Sequence, residues 1–273
     1  MHSGQSVFYA PAPFCNSQYQ EKIHVFNGKY FKTESYCAIS MTPPQEPPSL
    51  SVNDKKQIRV GENGPYIVSG SIPLTKKEIR NDSEGFCSTW HEAGKYPLQE
   101  QYALCRCGHS KNKPYCDGTH AKIHFNGTET ADDTPYLDHA GRIDGPTLSL
   151  TDADNMCVHA RFCMRAGGIW NLIRQSDNPE ARQIAIEEAG NCPSGRLVVW
   201  DKKTKKVFEP EFEKSIVVIE YPPRDEHGPL WVRGGIPVES SDGHVYEIRN
   251  RVTLCRCGKS CDKPFCDGSH VER

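Results

Sequence analysis

The sequence contains no run of 18 apolar residues, so no membrane-spanning helix is expected. It has no surplus of positive charge: 33 Lys and Arg against 35 Asp and Glu leave a formal net charge of −2, which argues against a general nucleic-acid binder. Its first residues, MHSGQSVFYAPAPF, have neither the basic start nor the apolar stretch of a secretory leader. No arginine occurs in residues 1–40, unlike a mitochondrial presequence, and a cytoplasmic protein is expected. No Ser-His-Asp arrangement, P-loop or Rossmann glycine fingerprint is evident, so an enzyme is not expected. Apolar residues are scarce at 36%, while 22 Gly and 20 Pro point to many turns and small modules. Small modules bury too little apolar surface to be secure alone and usually need a metal or disulfide staple.

What the chain does have is cysteine, thirteen in all. In a reducing compartment, clustered cysteines suggest metal rather than disulfides. Three tight groups stand out: Cys105, Cys107 and Cys116; Cys157 and Cys163; and Cys255, Cys257, Cys261 and Cys266. Cys15, Cys37, Cys87 and Cys261 are read as non-ligands.

An internal repeat organises the chain. GPYIVSGSIPL (64–74) aligns without gaps on GPLWVRGGIPV (228–238), and each copy is followed by a CRCG segment. The unit reads as a strand, a connection, a second strand ending at Leu104 or Leu254, and a ligand loop. Val and Ile between Gly-Pro and Ile-Pro suit short strands with proline at their ends. TKKEIRNDSEGFCSTWHEAGKYPL (75–98) distinguishes the first copy. Between the copies, LSL (148–150), RLVVW (196–200) and SIVVIE (215–220) read as strands and DNPEARQIAIEEAGN (177–191) as a helix. Asn178 caps that helix, Pro179 opens it, Gly190 stops it, and Ala181, Ile184, Ala185 and Ala189 share its buried face. Residues 1–54 show no periodicity and include the Pro-rich MTPPQEPPSL (41–50), an extension and linker. Met41 is an alternative start.

Both terminal loops spell C-x-C-x2-S-x3-P-x-C-D-G-[ST]-H. The ligand-type residues are Cys105, Cys107, Cys116 and His120 in the first loop, and Cys255, Cys257, Cys266 and His270 in the second. A single turn of helix places residues four apart, such as Cys116 and His120, on one face. Asp117 and Asp267 stand where a carboxylate caps the turn, Gly118 and Gly268 permit close backbone approach, and Pro114 and Pro264 stiffen the entry. Three thiolates and an imidazole suit a structural zinc ion, but C-x-C is tighter than the usual zinc spacing. Two pairs of donors equally suit a two-iron cluster, and spacing alone leaves both readings open. Arg106, His109, Lys111, Lys113, Arg256, Lys259 and Lys263 read either as a landing patch for an acidic partner or as ordinary solvated surface. His91, His139, His227 and His244 read as surface residues without obvious partners.

Position by position, both loops resemble the CDGSH iron–sulfur (NEET) family, with Thr119 in place of the serine in the first. The resemblance implies a 2Fe–2S cluster in each loop. Cys105 and Cys107 would hold one iron and Cys116 and His120 the other, likewise Cys255 and Cys257 with Cys266 and His270. It implies two modules packed about a pseudo-twofold axis under a strand cap, as in tandem members. The expected class is therefore α+β, mostly β. The expected divisions are a first CDGSH module at 55–128, a small ferredoxin-like domain at 140–222 and a second CDGSH module at 223–273.

The middle segment pairs CVHARFC (157–163) with a distant Cys192-Pro193. It resembles the divergent single-cluster ferredoxins found fused to CDGSH modules, in which Cys157, Cys163 and Cys192 would be ligands and Ala160 replaces a middle cysteine. Three thiolates imply a 3Fe–4S centre, with a fourth iron kept by His159 or solvent as the 4Fe–4S alternative. A cluster-free domain with three buried thiols remains open. On this reading Ala160→Cys favours a four-iron centre.

Together these features point to electron transfer or iron–sulfur cluster transfer with redox or cluster-acceptor protein partners, in a monomer with an internal pseudo-dimer. A redox or iron sensor and a zinc-stapled binding module are the alternatives. Replacing a thiolate by neutral imidazole removes negative charge and raises a cluster's potential, while leaving a ligand that protonation detaches. His120→Cys and His270→Cys are therefore expected to slow acid bleaching and lower both potentials. Acid decay unchanged in both variants would exclude histidine as the weak ligand.

Overall fold

A computed structural model describes residues 55–271. The extension and linker expected at 1–54, with Met41, Cys15 and Cys37, lie outside the described residues. Among the described residues, no helix is long and apolar enough to cross a membrane.

In the first copy, β1 (Gln57–Val60) and β2 (Tyr66–Ser69) alternate deeply and partly covered side chains, the period-2 signature of a strand with one face on a core. They pair antiparallel, Ile58 opposite Val68 and Val60 opposite Tyr66. After Ile72-Pro73 the chain forms a long hairpin from β3 (Leu74–Asn81) and β4 (Cys87–Lys95), then returns as β5 (Gln101–Leu104) beside β2. The first ligand loop follows, ending in a single turn, α1 (Thr119–Lys122). A second short turn, α2 (Tyr136–His139), leads to the middle segment.

The middle segment has its own antiparallel sheet of β6 (Gly141–Asp144), β7 (Leu148–Asp152), β8 (Leu197–Asp201) and β9 (Val207–Phe208), in that order. Two helices, α3 (Ile169–Arg174) and α4 (Pro179–Gly190), connect β7 to β8. Asn178 caps α4 as expected: its Oδ1 accepts the amides of Glu180 at 2.8 Å and Ala181 at 3.3 Å. Ala181, Ala185 and Ala189 face a core of Leu148, Leu150, Ile169, Ile173, Leu197 and Val199, and Ile184 lies at its edge. Glu188 is buried on the same helix, which the apolar pattern does not foretell.

The second copy consists of β10 (Ser215–Tyr221), β11 (Glu226–Arg233), β12 (Val238–Glu239) and β13 (Arg251–Leu254). Its register repeats the first: Leu230 opposes Leu254 as Tyr66 opposes Leu104. SIVVIE, expected within the 140–222 domain, is β10 and pairs with β11, so the strand joins the second copy's sheet and moves the boundary N-terminal to 215.

The two copies exchange strands. β3 leaves the first copy to run parallel to β10, Leu74 opposite Ile216. β12 leaves the second copy to run parallel to β1, Val238 opposite Ile58. One core serves both, built from repeat-related pairs such as Ile58 and Ile216, Val60 and Val218, Val68 and Val232, Ile72 and Ile236, and Leu104 and Leu254, all essentially sealed from solvent. This is the pseudo-twofold arrangement that the resemblance implied, reached through shared sheets.

An aromatic stack, an ion pair and a buried arginine are among the contacts that fasten the insert to this frame. Trp90 on β4 stacks between Phe162 and Trp231, at centroid distances of 4.7 and 5.0 Å. Arg161 makes a two-pronged ion pair with Glu226, 2.8 Å on each arm. Arg251, 1% exposed on β13, donates to the carbonyls of Gly190 (3.0 Å), Cys192 (2.8 Å) and Leu197 (3.1 Å), and to Ala189 and Glu209. It thus satisfies the free carbonyls at the end of α4 from another part of the fold. Arg251→Met is expected to cost about 3–5 kcal/mol, the range for breaking a buried ion pair, in denaturant unfolding. A loss below about 1 kcal/mol, the net worth of one ordinary hydrogen bond, would contradict this role.

Candidate metal centres

Each ligand loop is folded back onto the strand that precedes it. The Cys105 amide donates to Pro114 O at 2.8 Å and the Cys116 amide to Ala103 O at 2.9 Å. In the second loop Cys255 N reaches Pro264 O and Cys266 N reaches Thr253 O, both at 2.9 Å. The prolines follow cis peptide bonds at Lys113–Pro114 and Lys263–Pro264. The single helical turn expected to carry both Cys116 and His120 begins only at Thr119, and its N-cap Gly118 has no side-chain cap bond. No helix forms in the second loop, and the aspartates clamp their loops instead. Asp117 accepts from Thr119 N (3.0 Å) and Lys111 N (2.8 Å), Asp267 from Ser269 N (2.9 Å) and Cys261 N (2.8 Å). The Lys111 amide and the Thr119 hydroxyl and amide hold the Asp117 carboxyl well below the usual range. At Asp267 burial acts upward, but bonds from Ser269 and Cys261 outweigh it and the net shift is downward.

The donors stand in pairs. Sγ of Cys105 and Cys107 are 3.8 Å apart and Cys116 Sγ lies 3.3 Å from His120 Nδ1. The corresponding distances in the second loop are 3.6 Å for Cys255 and Cys257, and 3.4 Å for Cys266 and His270. Two thiolates about 2.3 Å from one tetrahedral ion stand about 3.8 Å apart, so each pair fits one metal atom. Among the described residues, no three Cys, His, Asp or Glu gather as a single ion would require. Each loop thus presents two donor pairs. Burial pushes the His270 imidazole down to about 4, leaving it in the neutral form a metal needs. The Cys266 thiol is pushed well up, chiefly by burial and then by Cys255.

Two of the basic residues read as surface are not there. Arg106 is 1% exposed, donates to Gly127 O, and lies over the rings of Phe125 (5.4 Å) and Tyr66 (5.8 Å). Its Nε and Nη1 have no hydrogen-bond partner, so a buried cation lies between two thiol ligands with donors to spare. That environment suits an anionic group. Arg256 is bound to Gly228 O, Ile219 O and Glu220. His109, Lys111, Lys113 and Lys259 are exposed as expected. His227 and His244 do have partners, Glu220 at 2.6 Å and Asp133 at 3.0 Å.

In the insert, Cys157, Cys163 and Cys192 come together from a loop, a 3-10 turn (Phe162–Gly167) and the end of α4. Burial pushes the Cys163 thiol up to about 12, and the neighbouring Cys192 and Cys157 add to it. Arg196 pairs with Asp152 at 2.6 Å and Asp154 at 2.7 Å. Burial acts to lower its basicity, but Asp152 and Cys157 together raise it. Ala160 packs against the cluster of Ile79, Trp90, Phe162 and Trp231, so a thiol at 160 enters an aromatic core and Ala160→Cys is no longer expected to supply a fourth ligand.

A family model described as "Iron-binding zinc finger CDGSH type" matches residues 63–121 and again 227–271. The chain thus carries two CDGSH regions. A second model, "Divergent 4Fe-4S mono-cluster", matches 143–202, so a mono-cluster segment lies between the two copies. No curated protein and no solved structure matches the chain.

The three candidate sites abut in a row. A Cβ on Gly108 would meet Cys257 O at 2.5 Å, and one on Gly258 would meet Cys107 O at 2.7 Å, so the loops lie back to back. A Cβ on Gly268 would meet Cys157 O at 2.7 Å and the His159 ring at 2.5 Å, which brings the insert onto the second loop. At Gly118, the equivalent position in the first loop, it would meet nothing. Sequence reading assigned close approach to Gly118 and Gly268, of which only the second shows it, and overlooked Gly108 and Gly258. It also missed Tyr66, whose hydroxyl reaches across to Cys255 O (2.7 Å) and Pro264 O (2.9 Å). Gly108 and Gly258 have φ of +80° and +79°, a region that costs an L-residue about 1–2 kcal/mol before any clash. Gly108→Ala and Gly258→Ala are each expected to lower stability by at least that amount and to reduce bound iron in both loops. Full iron content with unchanged melting in either variant would contradict the back-to-back packing.

Proposed function

We propose that this iron–sulfur protein conducts electrons through three neighbouring centres, as a carrier rather than an enzyme. Cys105, Cys107, Cys116 and His120 hold one 2Fe–2S cluster, and Cys255, Cys257, Cys266 and His270 hold the other. Cys157, Cys163 and Cys192 hold a cubane-type cluster. The observation that carries this reading is the row of backbone contacts: Cys107 against Gly258, and Cys157 against Gly268. Ligands of adjacent sites are thereby separated by little more than one peptide, close enough for tunnelling.

The order follows from the same contacts. The second loop is central, touching the first loop on one side and the insert on the other, and its Cys266 is buried. The first loop has open space at Gly118 and a half-exposed Cys116, so it forms one terminus. His109, Lys113, Arg224 and Lys259 line a groove of about 520 Å³ between the two loops, and His270 is reached from it. Its basic side chains outnumber Asp225 and Glu226, which also line it, and suit an acidic redox partner at short range and in a salt-dependent way. That access to a histidine ligand also favours a second reading, donation of a cluster to an acceptor protein.

Gly268→Ala puts a methyl group between the second loop and Cys157. It is expected to slow electron exchange between the middle and second centres, seen as separate reduction of the two during a rapid-freeze reductive titration followed by EPR. Kinetics identical to the parent protein would remove the insert from the route. Loss of cluster to an apo-ferredoxin on a single turnover, without repeated cycling, would establish transfer in place of conduction.

A further inference from the structure

The mono-cluster segment offers three cysteines to a centre whose family description specifies four irons. Four irons need four terminal ligands, and position 160 faces an aromatic core. Glu188 is the one buried acidic side chain on α4. It is 1% exposed, and neither carboxylate oxygen has a hydrogen-bond partner. The nearest cation, Arg165, stands 3.9 Å from Oε1, beyond hydrogen-bond reach. Burial pushes the Glu188 carboxyl up to about 8, so it stays protonated unless a cation takes the proton's place.

Its position indicates what that is. Glu188 lies four residues before Cys192, which follows the end of α4, and the Cys192 amide bonds back to Ala189 O at 3.1 Å, so the chain turns there and keeps Cys192 near the helix. α4 rests against the 3-10 turn carrying Cys163, whose Arg165 approaches Glu188. The Cys163 thiol is close enough to feel the Glu188 charge, which raises it. An oxygen donor is harder than sulfur, yet iron accepts carboxylate readily.

We propose that Glu188 is the fourth ligand of the middle centre, holding the iron that the three cysteines leave without a protein donor. This rests on the middle segment binding a cluster, as proposed above. With the carboxylate in place the centre keeps four irons. Without it, one-electron oxidation expels the unheld iron as Fe²⁺ and leaves a three-iron cluster with its sulfides intact, the electron passing to the oxidant.

The test uses the full chain, purified anaerobically, in four forms: parent, Glu188→Gln, Glu188→Cys and His159→Ala. Each is treated with a slight excess of ferricyanide and read by iron and sulfide content and by EPR. The parent is expected to remain EPR-silent at the middle site when oxidised and to show a four-iron signal when reduced. Glu188→Gln is expected to lose one iron per chain with sulfide unchanged and to show the oxidised three-iron signal. Glu188→Cys is expected to keep the iron and alter the reduced spectrum, and carries the test by itself if the glutamine variant fails to fold. Parent-like iron and spectra in both Glu188 variants would overturn the proposal. So would a three-iron signal in the parent, or iron loss confined to His159→Ala. Absence of any middle-site signal with both 2Fe–2S signals present would instead refute the underlying cluster assignment.

Discussion

Strand exchange between the two CDGSH copies is the constraint on which the rest of the structure depends. Each copy donates the segment after its Ile-Pro to the other's sheet, Leu74 beside Ile216 and Val238 beside Ile58. Neither sheet has its full set of strands alone, so the copies share one apolar core, and both ligand loops leave that core at fixed places, after Leu104 and Leu254. The back-to-back contact of the loops follows directly. A chain with little apolar material thus obtains a core of useful size by pooling two half-cores.

Onto that near-symmetric frame the insert imposes direction. It touches the second loop and leaves the equivalent side of the first open, so two loops of almost identical sequence have different surroundings. Cys266 is buried where Cys116 is half-exposed. Arginines accompany the ligands throughout: buried Arg106 beside the first loop, half-buried Arg256 beside the second and half-buried Arg196 beside Cys157. Groups rich in thiolate carry negative charge, and a guanidinium nearby offsets it without competing as a ligand.

Much of this was legible in the sequence because the signals are local. Ligand spacing, the Asp-Gly turn and the Asn178-Pro179 helix start depend only on near neighbours, and all are found where the residues place them. The repeat revealed the equivalent strands because the same alternation recurs between the same prolines. Hidden were features whose partner lies far along the chain. Nothing local to Arg106, Arg251 or Glu188 indicates burial, because long charged side chains are normally solvated. SIVVIE carries no mark of which sheet it joins, and Gly108 looks like any turn glycine until Cys257 O is known to face it.

The exchanged strands also bear on how the protein comes into being. During synthesis β1 and β2 are made before the insert, but β12, the strand that flanks β1 on its other side, is made only after the whole insert. Until then the first sheet has an unpaired edge, the situation in which nascent chains are most prone to stray pairing. β1 is only four residues long and its Arg59 is exposed, and both features discourage a foreign strand during that wait. Completion of the first ligand loop's scaffold is thus tied to synthesis of the second copy.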